Sequence, residues 1–184
     1  MARLDPPRET ARLRLRPFAE DDLAPLAELL ADPTVNRYLY TGPRSLEETR
    51  DLLTQRLARS SDDAEPRMNV AVTLREGDVL VGDFALWWDT EHRQGEFGGS
   101  LLPAHQGHGY ATEVYGALLE VAFDELDLHR VEGRCDARNV ASIRSLERAG
   151  LVREAHFVEN EFVKGEWTSE VVLALRAETW RGAR

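Results

Sequence analysis

Apolar residues recur along the chain at two spacings, one typical of strands and the other of helices. Residues 12–18 alternate leucine with arginine, which is the period of a half-buried strand. Residues 20–31 carry leucines at helical spacing, and Ser45 with Glu48 forms a capping box that opens a second helix. We expect that helix to present three leucines on one face: Leu46, Leu53 and Leu57.

The rest of the chain is dominated by strand patterns. After a polar loop over residues 60–67, residues 70–88 read as a hairpin around the turn Glu76-Gly77-Asp78. Residues 95–102 predict a further strand, in which Gly98-Gly99 indicates a bulge or a close approach by a ligand or another backbone. The later elements are a helix over 109–127, a strand over 129–136, a helix over 140–149, and strands over 151–162 and 166–175. This order predicts an α/β fold with one mixed sheet flanked by helices.

Composition and charge fit one globular domain that spans residues 1–184. Lys and Arg number 23 against 33 Asp and Glu, and the net charge of −10 argues against a surface that covers nucleic acid or an anionic membrane. Cys135 is the single cysteine, which excludes an intrachain disulfide and a cysteine-rich zinc site. The first ten residues have no apolar segment typical of a secretory signal. We therefore expect a cytoplasmic protein that binds no metal, no nucleic acid and no membrane.

The segment richest in chemical possibilities joins the strand at 95–102 to the long helix. Gly107 and Gly109 precede that helix, where unpaired N–H groups and the helix dipole favour an anion. The segment is not a Walker A loop, and Thr112 occupies the third glycine position of a GxGxxG fingerprint. The same glycines are equally compatible with a tight turn. Asn139 likewise precedes a helix, as an N-cap does, while its amide is able to face a ligand.

Together these segments resemble the GCN5-related N-acetyltransferase (GNAT) superfamily, and within it the RimJ/RimL-like branch. The phosphate-loop motif of the family, [R/Q]-x-x-G-x-[G/A], is matched by Gln106–Ala111, and the branch's Gly-Tyr-Ala-Thr-Glu by Gly109–Glu113. A later motif has an asparagine followed by serine three positions on and glycine eleven on, as in Asn139, Ser142 and Gly150. The resemblance covers almost the whole chain and implies the GNAT fold, a single, mostly antiparallel mixed sheet.

The resemblance implies acetyl-CoA as the co-substrate, with its diphosphate on the N–H groups of the loop. Pantetheine would pair like an extra strand with Leu101 and Leu102, in a gap opened by a bulge at Gly98-Gly99, and Asn139 would bind one of its amides. A strand N–H near Leu101 would polarise the acetyl carbonyl, as an oxyanion hole does. The residues expected to bind acetyl-CoA are Leu101, Leu102, Gln106, Gly107, His108, Gly109, Tyr110, Ala111, Thr112 and Asn139.

For catalysis the resemblance leaves two candidate side chains. Many family members protonate the leaving thiolate with a tyrosine seven positions after the asparagine, but that position is Leu146 here. Ser142 is the candidate acid, with capping or packing as the alternative. Glu96 is the candidate base, acting directly or through water, with an ordinary surface charge as the alternative. No histidine is placed to activate Cys135, so direct transfer is expected rather than a covalent enzyme intermediate.

The expected acceptor is a primary amine, either on a small molecule or at a protein N-terminus. Tyr38 and Tyr40 lie in a loop that forms part of the acceptor side in this fold. Glu96, together with Glu159–Glu161 in the turn between the last two strands, would attract a cationic amine. Two alternatives stay open, a non-catalytic acyl-CoA sensor of the same fold and an unrelated nucleotide-binding protein. A monomer and a homodimer are both compatible with the sequence.

Overall fold

Eight strands form one mixed sheet in the computed structural model of the chain, which describes residues 7–58 and 66–183. The strands are β1 (Arg8–Glu9), β2 (Leu13–Arg16), β3 (Arg67–Leu74), β4 (Leu80–Asp89), β5 (Gln94–Leu101), β6 (Arg130–Asp136), β7 (Val152–Val163) and β8 (Glu166–Arg176). Their order across the sheet is β1-β2-β3-β4-β5-β6-β8-β7. Neighbouring strands are antiparallel except β5 and β6, which are parallel. The predicted fold class is confirmed.

Helices flank both faces of the sheet. They are α1 (Leu23–Ala31), α2 (Pro33–Asn36), α3 (Leu46–Ala58), α4 (Tyr110–Glu120), α5 (Val140–Arg148) and α6 (Ala177–Gly182). A π-helical segment, Val121–Glu125, continues α4, so the predicted long helix has a change of winding near its end. The pattern did not predict β1, α2 or α6, each of which is too short for hydrophobic periodicity to detect. Of the predicted polar loop, residues 60–65 lie outside the described part of the chain.

Two apolar cores lie on opposite faces of the sheet. The larger packs α4 and α5 against the central strands and includes Phe84, Phe123 and Leu118, all buried. The smaller packs α1 and α3 against the other face and includes Leu26 and Leu29. Successive side chains on each central strand point to opposite faces of the sheet, so neighbouring residues of one strand lie in different environments.

Helix α3 begins and packs partly as the sequence predicts. Its capping box is present, because the Glu48 N–H donates to Ser45 Oγ at 3.2 Å and the Ser45 N–H donates to Glu48 Oε2 at 2.7 Å. The predicted leucine face is wrong, since Leu53 is buried but Leu46 is 53% and Leu57 41% exposed. The side of α3 that faces the sheet instead carries the buried Thr49 and Leu53 and the largely buried side chain of Arg56, which forms a two-pronged ion pair with the buried Asp83 of β4.

A gap between β5 and β6 interrupts the centre of the sheet. The two strands pair only where Gln94–Glu96 faces Arg130–Glu132. Beyond that point β5 pairs with β4 alone and β6 with β8 alone. The predicted bulge at Gly98-Gly99 is wrong, because β4 and β5 stay in register through it. Gly99 instead allows a close approach, since a Cβ there would lie 2.4 Å from the Phe84 ring.

Within the part of the chain that the structure describes, no helix combines the length and apolar character needed to cross a membrane.

Candidate active site

The loop between β5 and α4 exposes a row of backbone N–H groups. Gly107 and Gly109 have φ of 77° and 80°, left-handed conformations that glycine adopts without steric cost. The first helical hydrogen bond of α4 runs from Glu113 N to Gly109 O, at 3.1 Å. The N–H groups of Tyr110, Ala111 and Thr112 therefore have no helical acceptor, as at any helix start. Such a cluster, at the positive end of the helix dipole, is suited to a diphosphate.

The carbonyl groups of this loop are held by protein side chains. His108 Nδ1 lies 2.8 Å from Gln106 O, and since a carbonyl only accepts, the hydrogen is on Nδ1. Arg12 Nη1 donates to His108 O at 2.8 Å. Gln106 Nε2 donates to Leu101 O at 3.0 Å, so this side chain fastens the loop to β5. With the Gln106 and His108 carbonyls engaged, the loop offers mainly N–H groups to a ligand.

Leu101 and Leu102, at the end of β5, differ in what they can offer to a ligand. Leu102 N donates to Val81 O at 2.9 Å, and Leu102 O accepts from His105 N at 2.8 Å. The Leu102 N–H is therefore not free to pair with pantetheine in the strand-like way predicted from the sequence. Because alternate residues of an antiparallel strand point their N–H groups to opposite sides, Leu101 N–H faces the β5–β6 gap. Of the two residues, we therefore expect only Leu101 to pair with pantetheine through its backbone N–H.

At the start of α5, Asn139 is an N-cap, as the simpler alternative predicted. Asn139 Oδ1 accepts from Ser142 N at 3.1 Å, which leaves the two hydrogens of Asn139 Nδ2 outside the cap. Both predictions made from the sequence are therefore compatible with the geometry. Thr112 lies close by, with its hydroxyl 3.4 Å from Ser145 O, so α4 and α5 are joined beside the loop.

Ser142 lies against two buried polar groups on the α4 side of the sheet. Cys135 Sγ, on β6, donates to Ser142 Oγ at 3.3 Å. Burial raises the pKa of Tyr115, on α4, and the Ser142 hydroxyl beside it opposes that shift. Burial also raises the pKa of Cys135, which keeps its thiol protonated and unsuited to nucleophilic attack. Leu146, where many family members have tyrosine, is fully buried and packs on Gly133.

Glu96 lies on the opposite face of the sheet, next to the gap. It is the cross-strand neighbour of Trp87, and Glu132 is its partner on β6. Burial raises the pKa of Glu96; the Arg134 guanidinium lowers it, the Glu132 charge raises it, and a hydrogen bond from Trp87 lowers it. Arg134 Nε is 3.9 Å from Glu96 Oε2. A half-buried carboxylate with a raised pKa is suited to accept a proton near neutral pH.

A buried carboxylate that sequence reasoning missed extends this face. Glu170, on β8, is 4% exposed; its oxygens accept from Tyr40 at 2.7 Å and from Arg134 at 3.0 Å. Arg134 also donates to Glu132 Oε1 at 2.9 Å. The alternating pattern of β8 gave no indication of this role, because Glu170 is brought to Tyr40 across 130 positions of chain. Tyr40 therefore contacts the same group of side chains as Glu96, and its assignment to the acceptor side stays a prediction.

Glu159–Glu161 do not lie in the turn between the last two strands, and that expectation is wrong. They belong to β7, where the register with β8 shifts between Phe157 and Glu161. The turn is at Lys164 and Gly165, between the two strands that the sequence predicts, and both residues have positive φ. The shift accommodates extra residues of β7, as a bulge does. Among residues 7–58 and 66–183, His, Cys, Asp and Glu side chains form no group of three or more that could hold a metal ion.

Comparisons with known proteins agree with the observed fold. The chain matches the acetyltransferase (GNAT) domain over residues 12–152. The chain belongs to the GNAT acetyltransferase family. Among similar proteins is YnaD of Bacillus subtilis, named an uncharacterized N-acetyltransferase, which is 30% identical over 171 residues, 93% of this chain and 97% of YnaD.

Solved structures of GNAT proteins superimpose closely on the chain. A GNAT acetyltransferase from Bacillus anthracis gives a TM-score of 0.85 at 27% identity and covers 94% of this chain and 99% of its own. The spermidine N-acetyltransferase of Vibrio cholerae, solved with CoA and spermine, gives 0.79 at 25% identity and also covers 94% and 99%. The chain is therefore an acyl-CoA-dependent N-acetyltransferase, and its fold supports acetyl-CoA as co-substrate.

Proposed function

We propose that this GNAT chain transfers the acetyl group of acetyl-CoA to a primary amine of a small cationic molecule, directly within a ternary complex. The observation that carries the proposal is the charge on the Glu96 face of the gap. Three carboxylates, Glu96, Glu132 and Glu170, surround Arg134 there. Arg130 also pairs with Glu132, so three carboxylates face two guanidiniums, and the remaining negative charge favours a cation over a neutral or anionic acceptor.

A named relative, matched in sequence and in structure, supports the same acceptor class. The spermidine N(1)-acetyltransferase of Vibrio cholerae is 27% identical over 158 residues, 85% of this chain and 88% of the relative. A solved spermidine N-acetyltransferase of that organism contains spermine, a flexible polyamine. We carry the class of acceptor, a small polycationic amine, from this enzyme to the present chain. The exposed Trp87 indole beside Glu96 adds an aromatic surface on which a cation or its methylene groups can rest.

The proposed reaction uses both faces of the sheet. The acetyl thioester lies in the gap between β5 and β6, with the Leu101 N–H donating to its carbonyl oxygen as negative charge develops there. The neutral amine attacks the carbonyl carbon, so a C–N bond forms and the C–S bond breaks. Glu96, directly or through water, takes the proton that the amine nitrogen loses. The departing sulfur leaves as the CoA thiolate, which accepts a hydrogen bond from the Ser142 hydroxyl on the other face and takes its proton from the protonated Glu96 through water after the products separate.

A second acceptor class, the α-amine of a protein N-terminus, is favoured by one observation only. The chain carries Gly-Tyr-Ala-Thr-Glu at Gly109–Glu113, which resembles the RimJ/RimL-like branch. An N-terminus carries a single charge near the reacting nitrogen, so it gains less from the carboxylates around Arg134 than a polyamine does. The cytoplasmic location, the single domain over residues 1–184 and the choice between monomer and homodimer stay predictions.

The experiment that tests the proposal is a thiol-release assay with acetyl-CoA against spermidine, spermine, peptides with free N-termini, amino acids and aminoglycosides. We expect the highest kcat/KM with a polyamine. In parallel, acetyl-CoA at 100 times its Kd stabilises the folded chain by about 2.7 kcal/mol. Highest activity on a neutral or anionic amine would overturn the acceptor class. Stabilisation by acetyl-CoA without thiol release for any amine would favour the acyl-CoA sensor instead.

A further inference from the structure

An arginine from the start of the chain holds the back of the donor loop. Arg12, which directly precedes β2, donates to His108 O from Nη1 and to Glu113 Oε2 from Nε, each at 2.8 Å. Its guanidinium carbon lies 4.6 Å from the centroid of the Tyr110 ring. One side chain therefore contacts the loop, the first residue of α4 and the first turn of that helix.

We infer that Arg12 is a positioning residue for acetyl-CoA, which orients the Gly109 N–H and neutralises Glu113 next to the diphosphate site. The inference rests on the proposed function, because it assumes that the loop of Gly107–Ala111 binds the diphosphate. It adds a residue that lies about a hundred positions from the loop along the chain and belongs to neither GNAT motif recognised in the sequence.

The orientation follows from the geometry of one peptide unit. The His108 carbonyl and the Gly109 N–H belong to the same planar trans peptide, so they point in opposite directions. Arg12 holds the carbonyl on the outer side of the loop. The Gly109 N–H is thereby directed to the other side, away from Arg12. The left-handed conformation of Gly109 leaves this peptide free to flip if the carbonyl loses its partner.

The second proposed effect of Arg12 is electrostatic and acts on Glu113. Its carboxylate lies in the first turn of α4, where a negative charge would repel a diphosphate bound at the helix start. Arg12 donates to both of its oxygens, from the backbone N to Oε1 at 2.8 Å and from the side chain to Oε2. Burial opposes the ionised form of Glu113, but Thr10 and Arg12 lower its pKa. The Glu113 carboxylate is therefore ionised and paired with the Arg12 guanidinium. Its negative charge is neutralised and does not repel a diphosphate bound at the loop.

Arg14, two residues further along the chain and within β2, is a matched control. Arg14 pairs with Glu9 at 3.0 Å and lies 3.7 Å from Asp78, so its ion pairs avoid the loop. Arg14→Ala therefore removes a charge and an ion pair of the same kind without affecting the donor site. Arg12→Lys keeps the charge, but a single ammonium does not reproduce the guanidinium fork that reaches His108 O and Glu113 together.

The test measures the Kd of CoA and of dephospho-CoA, which lacks the 3′-phosphate, together with the melting temperature of each variant. Arg12→Ala is expected to weaken both ligands equally, by about tenfold, the size expected for one charge-assisted hydrogen bond. Arg12→Lys is expected to fall between Arg12→Ala and the natural chain. Arg14→Ala should bind both ligands like the natural chain, even if its melting temperature falls as much.

Two results would overturn the inference. Equal CoA affinity in Arg12→Ala and the natural chain means that Arg12 only anchors β2. A loss confined to CoA, with dephospho-CoA unaffected, means that Arg12 touches the 3′-phosphate directly and does not act through the loop. If the natural chain binds neither ligand, the proposed function fails first, and that outcome is separate from the other two. If Arg12→Ala does not fold, the affinities of Arg12→Lys for CoA and dephospho-CoA are compared with those of the natural chain instead.

Discussion

The loop proposed to bind acetyl-CoA and the face proposed to bind the amine, here called the donor loop and the acceptor face, differ in how their chemistry is built. The donor loop is a continuous segment, Leu101–Thr112, whose backbone N–H groups are exposed by two left-handed glycines. The acceptor face is a set of side chains from separate strands, in which Arg134 joins Glu96, Glu132 and Glu170. A ligand site made of backbone depends on a short run of residue types. A site made of side chains depends on which strands the fold brings together.

Substitution of Gly109 is the most direct test of whether the backbone of the donor loop binds acetyl-CoA. A β-branched residue at its φ of 80° is strained and its Cβ would lie 3.5 Å from Arg12 Nη2, and the strain requires the backbone that presents the loop N–H groups to shift. We expect Gly109→Val to weaken acetyl-CoA binding by more than about a hundredfold, since several charge-assisted hydrogen bonds are lost together. Titration calorimetry with CoA measures this loss.

Gly165→Val is the matched control for backbone strain. Gly165 has a φ of 86° in the β7–β8 turn, and a Cβ there meets no atom within 4 Å. The two variants should lose similar stability, because both place a branched residue in a left-handed conformation. Only Gly109→Val should lose CoA. Equal CoA affinity in the two variants would mean that the loop is a turn and not a phosphate site.

This difference between the two regions explains what could be predicted from sequence. The glycine turn before α4, the N-cap of α5 and the order of most elements along the chain were predictable, because each depends on glycines, caps or periodicity within a few residues. Glu170 and Arg12 were not, since their roles depend on contacts with Tyr40 and with His108 that the fold creates across about a hundred positions. The α3 leucine face failed for a related reason, because the buried ion pair of Arg56 determines which side of the helix faces inward.

On the acceptor face, the largest expected effect is that of Glu96→Gln. Removing the proposed base lowers kcat by about a hundredfold or more, the usual contribution of general base catalysis, while the Kd of CoA stays the same. Because burial raises the pKa of Glu96, its ionised and active form appears only above the normal range of a glutamate. The acid limb of the pH–rate profile therefore lies above that range and is lost in Glu96→Gln. A retained limb would assign it to another group.

Substitutions of Asn139 separate helix capping from binding of acetyl-CoA, because its side-chain oxygen and nitrogen have separate roles. Asn139→Asp keeps an oxygen for the Ser142 N–H cap but removes the Nδ2 donor that would reach pantetheine. We expect normal stability and a KM for acetyl-CoA raised by up to about tenfold, with the added negative charge contributing. Asn139→Ala should raise KM too, and also lose about 1 kcal/mol of stability with the cap. A normal KM in both variants would leave Asn139 as a cap only.

The smallest expected effect concerns salt, and it separates the two regions without a mutation. The attraction between a polyamine and the half-exposed Glu96 and Arg134 group is long-range and screened by salt over about 8–10 Å. Raising salt from about 0.05 to 0.5 M should therefore raise the KM of spermidine a few-fold. An uncharged-tail amine such as propylamine should show a weaker rise at the same acetyl-CoA concentration, because it brings one charge instead of several. Any effect of salt on acetyl-CoA itself is common to both acceptors, so the ratio of the two KM values isolates the acceptor face. A ratio that stays constant across this range would show that the carboxylates around Arg134 do not recognise charge on the acceptor.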